Sequence, residues 1–334
     1  RALPAAANLK LFPWLQSLYP IWANLNHDSI KASSELAIAE LLLSGCTTVS
    51  DHHYVFSEAL TDSIDIQIRA AEKLGIRAVL CRGSMSLGES TGGLPPDSII
   101  QTEDQILLDS ERLLTQYHDR SSQGAMIQIA LAPCSPFSVT TSLMTDTAEL
   151  AAKHNARLHT HLAETEDENQ FCQDVFNLRP LDYLESTGWL HNNTWLAHGI
   201  HFNDQELYRL GQAGTGICHC PTSNMILGSG TCRTLDIEAA GSPIGLGVDG
   251  SASNDGSNLI QEARQALLLA RLYYGADRIT VDHCLNWLCK GGADLLGRND
   301  IGQIAPSMQA DLALFSLDEL RFSGAADPLA ALIM

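Results

Sequence analysis

Basic residues are scarce in this chain. Only 20 Lys and Arg stand against 39 Asp and Glu in 334 residues, a formal charge of −19, and a surface that acidic repels phosphate backbones and anionic lipid. Polymeric nucleic acid and membrane surfaces are therefore excluded as partners. No run approaches the roughly 20 apolar residues of a membrane span. The nine cysteines are odd in number and lack framework spacing, so they supply no disulfide scaffold. Cys46, Cys81 and Cys289 lie inside apolar segments, where a thiol behaves as a small hydrophobe, and a reducing cytoplasm is the expected compartment. No Gly-rich dinucleotide fingerprint, internal repeat or low-complexity tract is present. The opening RALPAAANLKLFPWLQSLYPIW shows neither a secretory pattern nor an initiator Met, and the chain stops on the apolar AADPLAALIM, so further residues are expected on both sides.

What is present is a globular composition, 45% hydrophobic and 18% charged, at a length that one α/β barrel can occupy. Helix-like segments closed by breakers alternate with strand-like ones: SSELAIAELLLSG before TTVSDHH, SIDIQIRAAEKLG before IRAVLCRGS, EDQILLDSERLLTQYHD before MIQIALAPCSP, and LMTDTAELAAKHN before RLHTHLAE. TWLAHGIHF, TGICHCPTSN and SPIGLGVDGS complete seven strands. Uniform β-α alternation predicts a (β/α)8 TIM-type barrel, with the remaining strand before residue 1. In such a barrel the chemistry lies at the carboxyl ends of the strands. There the sequence places Asp51-His52-His53, Arg82, Cys134-Ser135, His161 with Glu164, His198 with His201, and Asp249. The Gly/Pro-rich stretch 85–102 follows a strand end and reads either as a substrate loop or as a tolerated surface insertion.

In RLHTHLAETEDEN, strand alternation sends His159 and His161 to one face and Leu158, Thr160 and Leu162 to the other. An inward imidazole at 161 can bind zinc, and the Glu164 carboxylate just past the strand can act on a metal-held water as general acid/base. The alternative is a hydrogen-bonded core histidine beside a solvated glutamate. His198 and Asp249 repeat the pattern on other strands, although Asp249 also suits a turn or helix cap. Together the three positions favour a catalytic metal. CHC at 218–220 is read as packing, because alternation separates His219 from Cys218 and Cys220. Of His52 and His53, only one can face inward.

The segments HTHLAET, WLAHGIHF, ICHCPTSNM, GLGVDGSASND and GQIAPSMQADLALF resemble the amidohydrolase superfamily, in its cytosine deaminase-like and triazine hydrolase-like branch. APCSPFSVT, SLGESTGGLPPDS and DELRFSGAADPLAAL are most similar to the 8-oxoguanine deaminases of that branch. The resemblance implies a barrel over residues 1–302 and, over 303–334, the start of the C-terminal part of a small β-sandwich domain. It implies one zinc per subunit, with iron as the other candidate, held by His161, Asp249 and an H-x-H pair on a strand upstream of residue 1. Glu164, His198 and Asp249 become catalytic positions, and Trp22, Arg82 and Cys134 substrate-binding ones. The implied reaction is hydrolytic deamination of 8-oxoguanine to urate and ammonia by a cytoplasmic homo-oligomer. An s-triazine aminohydrolase or chlorohydrolase, and a metal-free purine-binding homologue, are the alternatives.

Overall fold

The computed structural model describes residues 3–57 and 60–334. All seven expected strands form: β1 (Thr48–His53), β2 (Arg77–Ser84), β3 (Ile127–Pro133), β4 (Leu158–Leu162), β5 (Thr194–His198), β6 (Gly216–His219) and β7 (Ile244–Leu246). They make one parallel sheet in chain order, β1 to β7, with helical connections between them. Capping sets where those connections begin and end. Gly75, at φ 74°, closes the helix Ser63–Leu74 and turns the chain into β2, while Thr102 and Gln105 form a capping box that starts the helix Glu103–Tyr117.

Alternation gives each strand two faces. Ala78, Leu80, Ile129, Leu131, Leu158, Leu162 and Leu196 join the large core under the helices, whereas Val79, Cys81, Ala130, Ala132 and Trp195 pack together on the opposite face. That second face is concave. The ring of His52 on β1 lies 4.9 Å from that of His159 and 4.7 Å from that of His161, both on β4, although three strand spacings amount to about 14 Å in a flat sheet. The sheet must therefore curl until its inward side chains meet.

A separate apolar cluster covers the carboxyl end of the strands. Leu11, Trp14, Leu15, Leu18 and Tyr19 of the helix Leu11–Trp22 pack there with Met85, Ile99, Cys134 and Phe137. The 85–102 stretch is fastened into this cluster: the Gln101 amide donates to the Met85 carbonyl at 2.9 Å, and the Leu94 amide to that of Phe137 at 3.0 Å. It forms part of the rim and is not a loose insertion.

Residues 303–334, expected to begin a β domain, carry no strand. Their contacts run to the sheet and its helices. Asp311 accepts from Arg77 Nε and Nη2 at 2.8 and 3.0 Å, and the helix Pro328–Ile333 places Ile333 in the helix-side core. Among the described residues no helix is long and apolar enough to cross a membrane.

Candidate active site

Three strand exits converge on one point, and each uses an unusual backbone. Ala163 after β4, His198 at the end of β5 and Asp249 beyond β7 have φ of 53°, 73° and 60°, in the left-handed region that side chains other than glycine seldom occupy. Such conformations persist where the surroundings enforce them and gather at functional sites. At His198 the consequence is direct. The residue shares the parity of Leu196 and pairs in register with Leu162, both of which face the helices. The positive φ turns its imidazole back toward the mouth, where it stacks on His161 at 5.5 Å between centroids.

His161, His198 and Asp249 each offer a ligand atom, and these atoms lie within 4.8 Å of one another. It is the one such group among the described residues. Imidazole and carboxylate are ligand types that hold zinc, and His161 and Asp249 supply one of each here with His198 beside them. The hydrogen bonding of His161 fits that use: its Nδ1 donates to the Cys134 carbonyl at 2.7 Å, which leaves the Nε2 lone pair free for a metal. His159 makes the equivalent bond to the Trp195 carbonyl at 2.9 Å and stacks on the Trp195 ring, deeper on the concave face. Asp249 is held by hydroxyls, with Ser223 Oγ at 2.5 Å and Ser253 Oγ at 3.1 Å from Oδ2.

Glu164 is 4% exposed; its Oε2 lies 3.5 Å from His198 Nε2 and its Oε1 has no partner. Burial, and then the nearby Asp249 carboxylate, push the Glu164 pKa well above the usual range. Burial opposes ionisation of Asp249 too, but the His198 and His161 imidazoles outweigh it and hold that carboxyl low. Burial and charge thus drive the two carboxyl pKa values apart, the arrangement that assigns acid and base roles to a pair. Burial also lowers the His198 pKa to about 4, against the pull of Asp249.

Three supporting residues escaped the sequence reading. Glu168, fully buried, accepts from the Ala163 and Glu164 amides at 2.8 and 2.9 Å and so fixes the turn that presents Glu164. Tyr54 packs edge-on against His161 at 6.0 Å and Trp22 at 6.4 Å. Asn224 places Nδ2 3.0 Å from His198 Nδ1. The first could have been found from the i, i+4 spacing of Glu164 and Glu168 at a strand-to-helix turn. The other two left no signal separable from ordinary aromatic and turn residues.

Of the expected substrate contacts, Cys134 and Trp22 join the cluster at the mouth; Cys134 Sγ is 4.0 Å from His161 Nδ1 and burial pushes the thiol up to about 12. Arg82 requires a correction. It shares the parity of Leu80 and points toward the helices, where Nε donates to Asp109 at 2.9 Å, Nη2 to Gln101 at 2.8 Å and Nη1 to the Gly83 carbonyl, with the guanidinium 3.9 Å over Phe56. Its function is to bind the helix layer to β2. Arg82→Ala is accordingly expected to destabilise the fold by about 1–3 kcal/mol, since it unpairs Asp109 Oδ2 and Gln101 while Arg112 still holds Asp109 Oδ1, and the KM of the folded fraction stays near that of the wild type. Chemical denaturation and steady-state kinetics on one preparation check this; a raised KM with unchanged stability would return Arg82 to the substrate. His52 is the inward member of its pair, donating from Nε2 to the Ala132 carbonyl at 2.8 Å, whereas His53 packs on Phe56. Cys218, His219 and Cys220 form no candidate metal group among the described residues.

Comparison with known proteins agrees with this geometry. Over its whole length the chain is 62% identical to 8-oxoguanine deaminase of Pseudomonas aeruginosa, covering 74% of that protein. It is 36% identical over 321 residues to hydroxydechloroatrazine ethylaminohydrolase of Pseudomonas sp. (strain ADP), which spans 95% of the chain and 66% of that enzyme. Among solved structures, the atrazine chlorohydrolase of Arthrobacter aurescens TC1 complexed with zinc superposes with a TM-score of 0.95 at 32% identity, over 100% of this chain and 76% of that one. Residues 6–332 match the amidohydrolase family as a unit, and the chain is a member of that family.

Proposed function

We propose that this protein is a zinc-dependent deaminase that converts 8-oxoguanine and water to urate and ammonia. The observation that carries the reading is the convergence, at one cluster of strand ends, of a histidine whose Nδ1 is committed to a backbone carbonyl, the Asp249 carboxylate within 4.8 Å of its ligand atom, and the buried Glu164 carboxyl beside His198. His161 Nε2 and Asp249 would hold the metal. When bound, zinc lowers the pKa of a water and so supplies a nucleophile near neutral pH. Asp249 accepts the proton that this water gives up as its oxygen bonds to C2 of the purine. Glu164 protonates the ring, takes up the proton of the hydroxyl now on C2 and passes it to the departing amine, and the proton held by Asp249 restores Glu164 for the next turnover. The C2–N bond breaks, ammonia leaves with the proton, and a carbonyl remains at C2. Trp22 and Tyr54 cover the ring, and the neutral Cys134 thiol meets its polar edge. We place the enzyme in the cytoplasm as a homo-oligomer, with a small-molecule purine as its partner.

The identity to a purine deaminase, 62%, exceeds the 36% and 32% to the two triazine enzymes, which favours the purine over the triazine. Specificity tests the choice. A site that hydrogen-bonds a substrate group rejects analogues lacking it strongly, so kcat/KM for guanine, which has no 8-oxo group, is expected to be at least about 100-fold below that for 8-oxoguanine. Comparable values would remove the proposed recognition of the oxidised edge. A hydroxytriazine preferred over both would replace the substrate class.

A further inference from the structure

Asn224 is fully buried, yet it touches neither of the proposed metal ligands, and its Oδ1 has no hydrogen-bond partner. It sits in the short helix Pro221–Leu227 beside Ser223, so that consecutive residues reach the two strained strand exits: Ser223 bonds Asp249, and Asn224 bonds His198. A polar side chain buried with one end unsatisfied is costly, and the end that is used faces a single atom, Nδ1 of His198, at 3.0 Å.

We propose that Asn224 is a positioning residue whose Nδ2 donates to His198 Nδ1, holding that imidazole as the Nε2–H tautomer with its N–H turned into the site. The inference rests on the reading that the cluster holds zinc. It follows from donor and acceptor counting. A neutral imidazole has one N–H and one bare nitrogen; an amide N–H pointed at Nδ1 makes Nδ1 the bare one and puts the proton on Nε2. His161 is set the opposite way, with Nδ1 donating to the Cys134 carbonyl and Nε2 bare. Two stacked histidines within one cluster thus receive opposite tautomers from their neighbours, one from a backbone acceptor and one from a side-chain donor.

The Glu164 carboxyl is constrained by the same bond. Its Oε2 lies 3.5 Å from His198 Nε2, and with a proton already on Nε2 that oxygen must be the acceptor. A proton on the Glu164 carboxyl would then sit on Oε1, a buried oxygen without a hydrogen-bond partner. Asn224 in this way biases, through His198, which oxygen of Glu164 can carry a proton. The opposite amide orientation, Oδ1 toward an Nδ1–H, would bare Nε2 and turn its lone pair into the site.

Long-range proton-nitrogen NMR of the full-length, zinc-supplied protein labelled with ¹⁵N-histidine separates these cases, with the His198 signals assigned by their loss in His198→Gln. The expected result is a protonated Nε2 and a bare Nδ1 at neutral pH. In Asn224→Asp, which keeps the shape but can only accept, Nδ1 is expected to gain a proton, with kcat falling about 10- to 100-fold, KM little changed and zinc content retained. A wild-type His198 with its proton on Nδ1 would overturn the assignment whether or not any variant folds. So would an Asn224→Asp protein whose Nδ1 stays bare, or one that turns over at the wild-type rate. Failure of the underlying reading would appear separately, as wild-type protein that holds no zinc or makes no urate.

Discussion

Glu164→Gln is expected to lower turnover of 8-oxoguanine by at least about 100-fold while leaving zinc content at the wild-type level, the loss typical of removing a general acid/base. The substitution changes little else. Glutamine has the same shape, can still accept at the oxygen facing His198, and leaves the Ala163 and position-164 amides on the Glu168 carboxylate that sets the turn. What disappears is a dissociable proton held at a raised pKa by burial and by Asp249. An amide cannot deliver it to the ring or to the leaving amine. Metal analysis and steady-state rates on the same preparation check the prediction. Turnover within a few-fold of wild type would take Glu164 out of the mechanism, and loss of zinc along with activity would make it a ligand.

Asp249→Asn is expected to damage both properties at once, with zinc occupancy falling and turnover at a fixed zinc supply dropping at least about 100-fold. The backbone makes this a clean experiment. Asp249 has a φ of 60°, and asparagine tolerates the left-handed region as well as aspartate does, so the strand exit keeps its conformation. Asn at 249 can still accept from the Ser223 and Ser253 hydroxyls that now bond Oδ2. The change is therefore confined to one negative charge and the base it provides. Zinc titration together with thermal unfolding distinguishes the outcomes: weaker zinc with an unchanged apo-protein midpoint is the expected pattern, and full occupancy at an unchanged rate would release Asp249 from both roles.

Much of this arrangement was legible in the sequence because strand alternation and helix breakers are local signals. HTH in β4 announced two imidazoles on one face, and His52, His159 and His161 do meet on the concave side. The same rule, applied to IRAVLCRGS, sends Arg82 to the side of Leu80; family resemblance had placed it on the substrate, and the ion pair with Asp109 shows why parity was the better guide. His198 is the converse case. Parity points it outward, and only a positive φ at the strand end, invisible in the residue types, brings it to His161 and Asp249. Glu168, Tyr54 and Asn224 were missed for other reasons. Tyr54 and Asn224 act through neighbours distant in the chain, and such partnerships exist only once the sheet has curled, whereas Glu168 acts through the local Ala163 and Glu164 amides at a spacing the sequence displays.

The central claim is that this cluster removes the exocyclic amine of an oxidised purine. Its most direct test is to incubate the full-length, zinc-supplied protein with 8-oxoguanine and measure urate and ammonia together. The account predicts one of each per substrate consumed, and loss of both when zinc is chelated. Absence of urate from zinc-replete protein that hydrolyses a hydroxytriazine would contradict it.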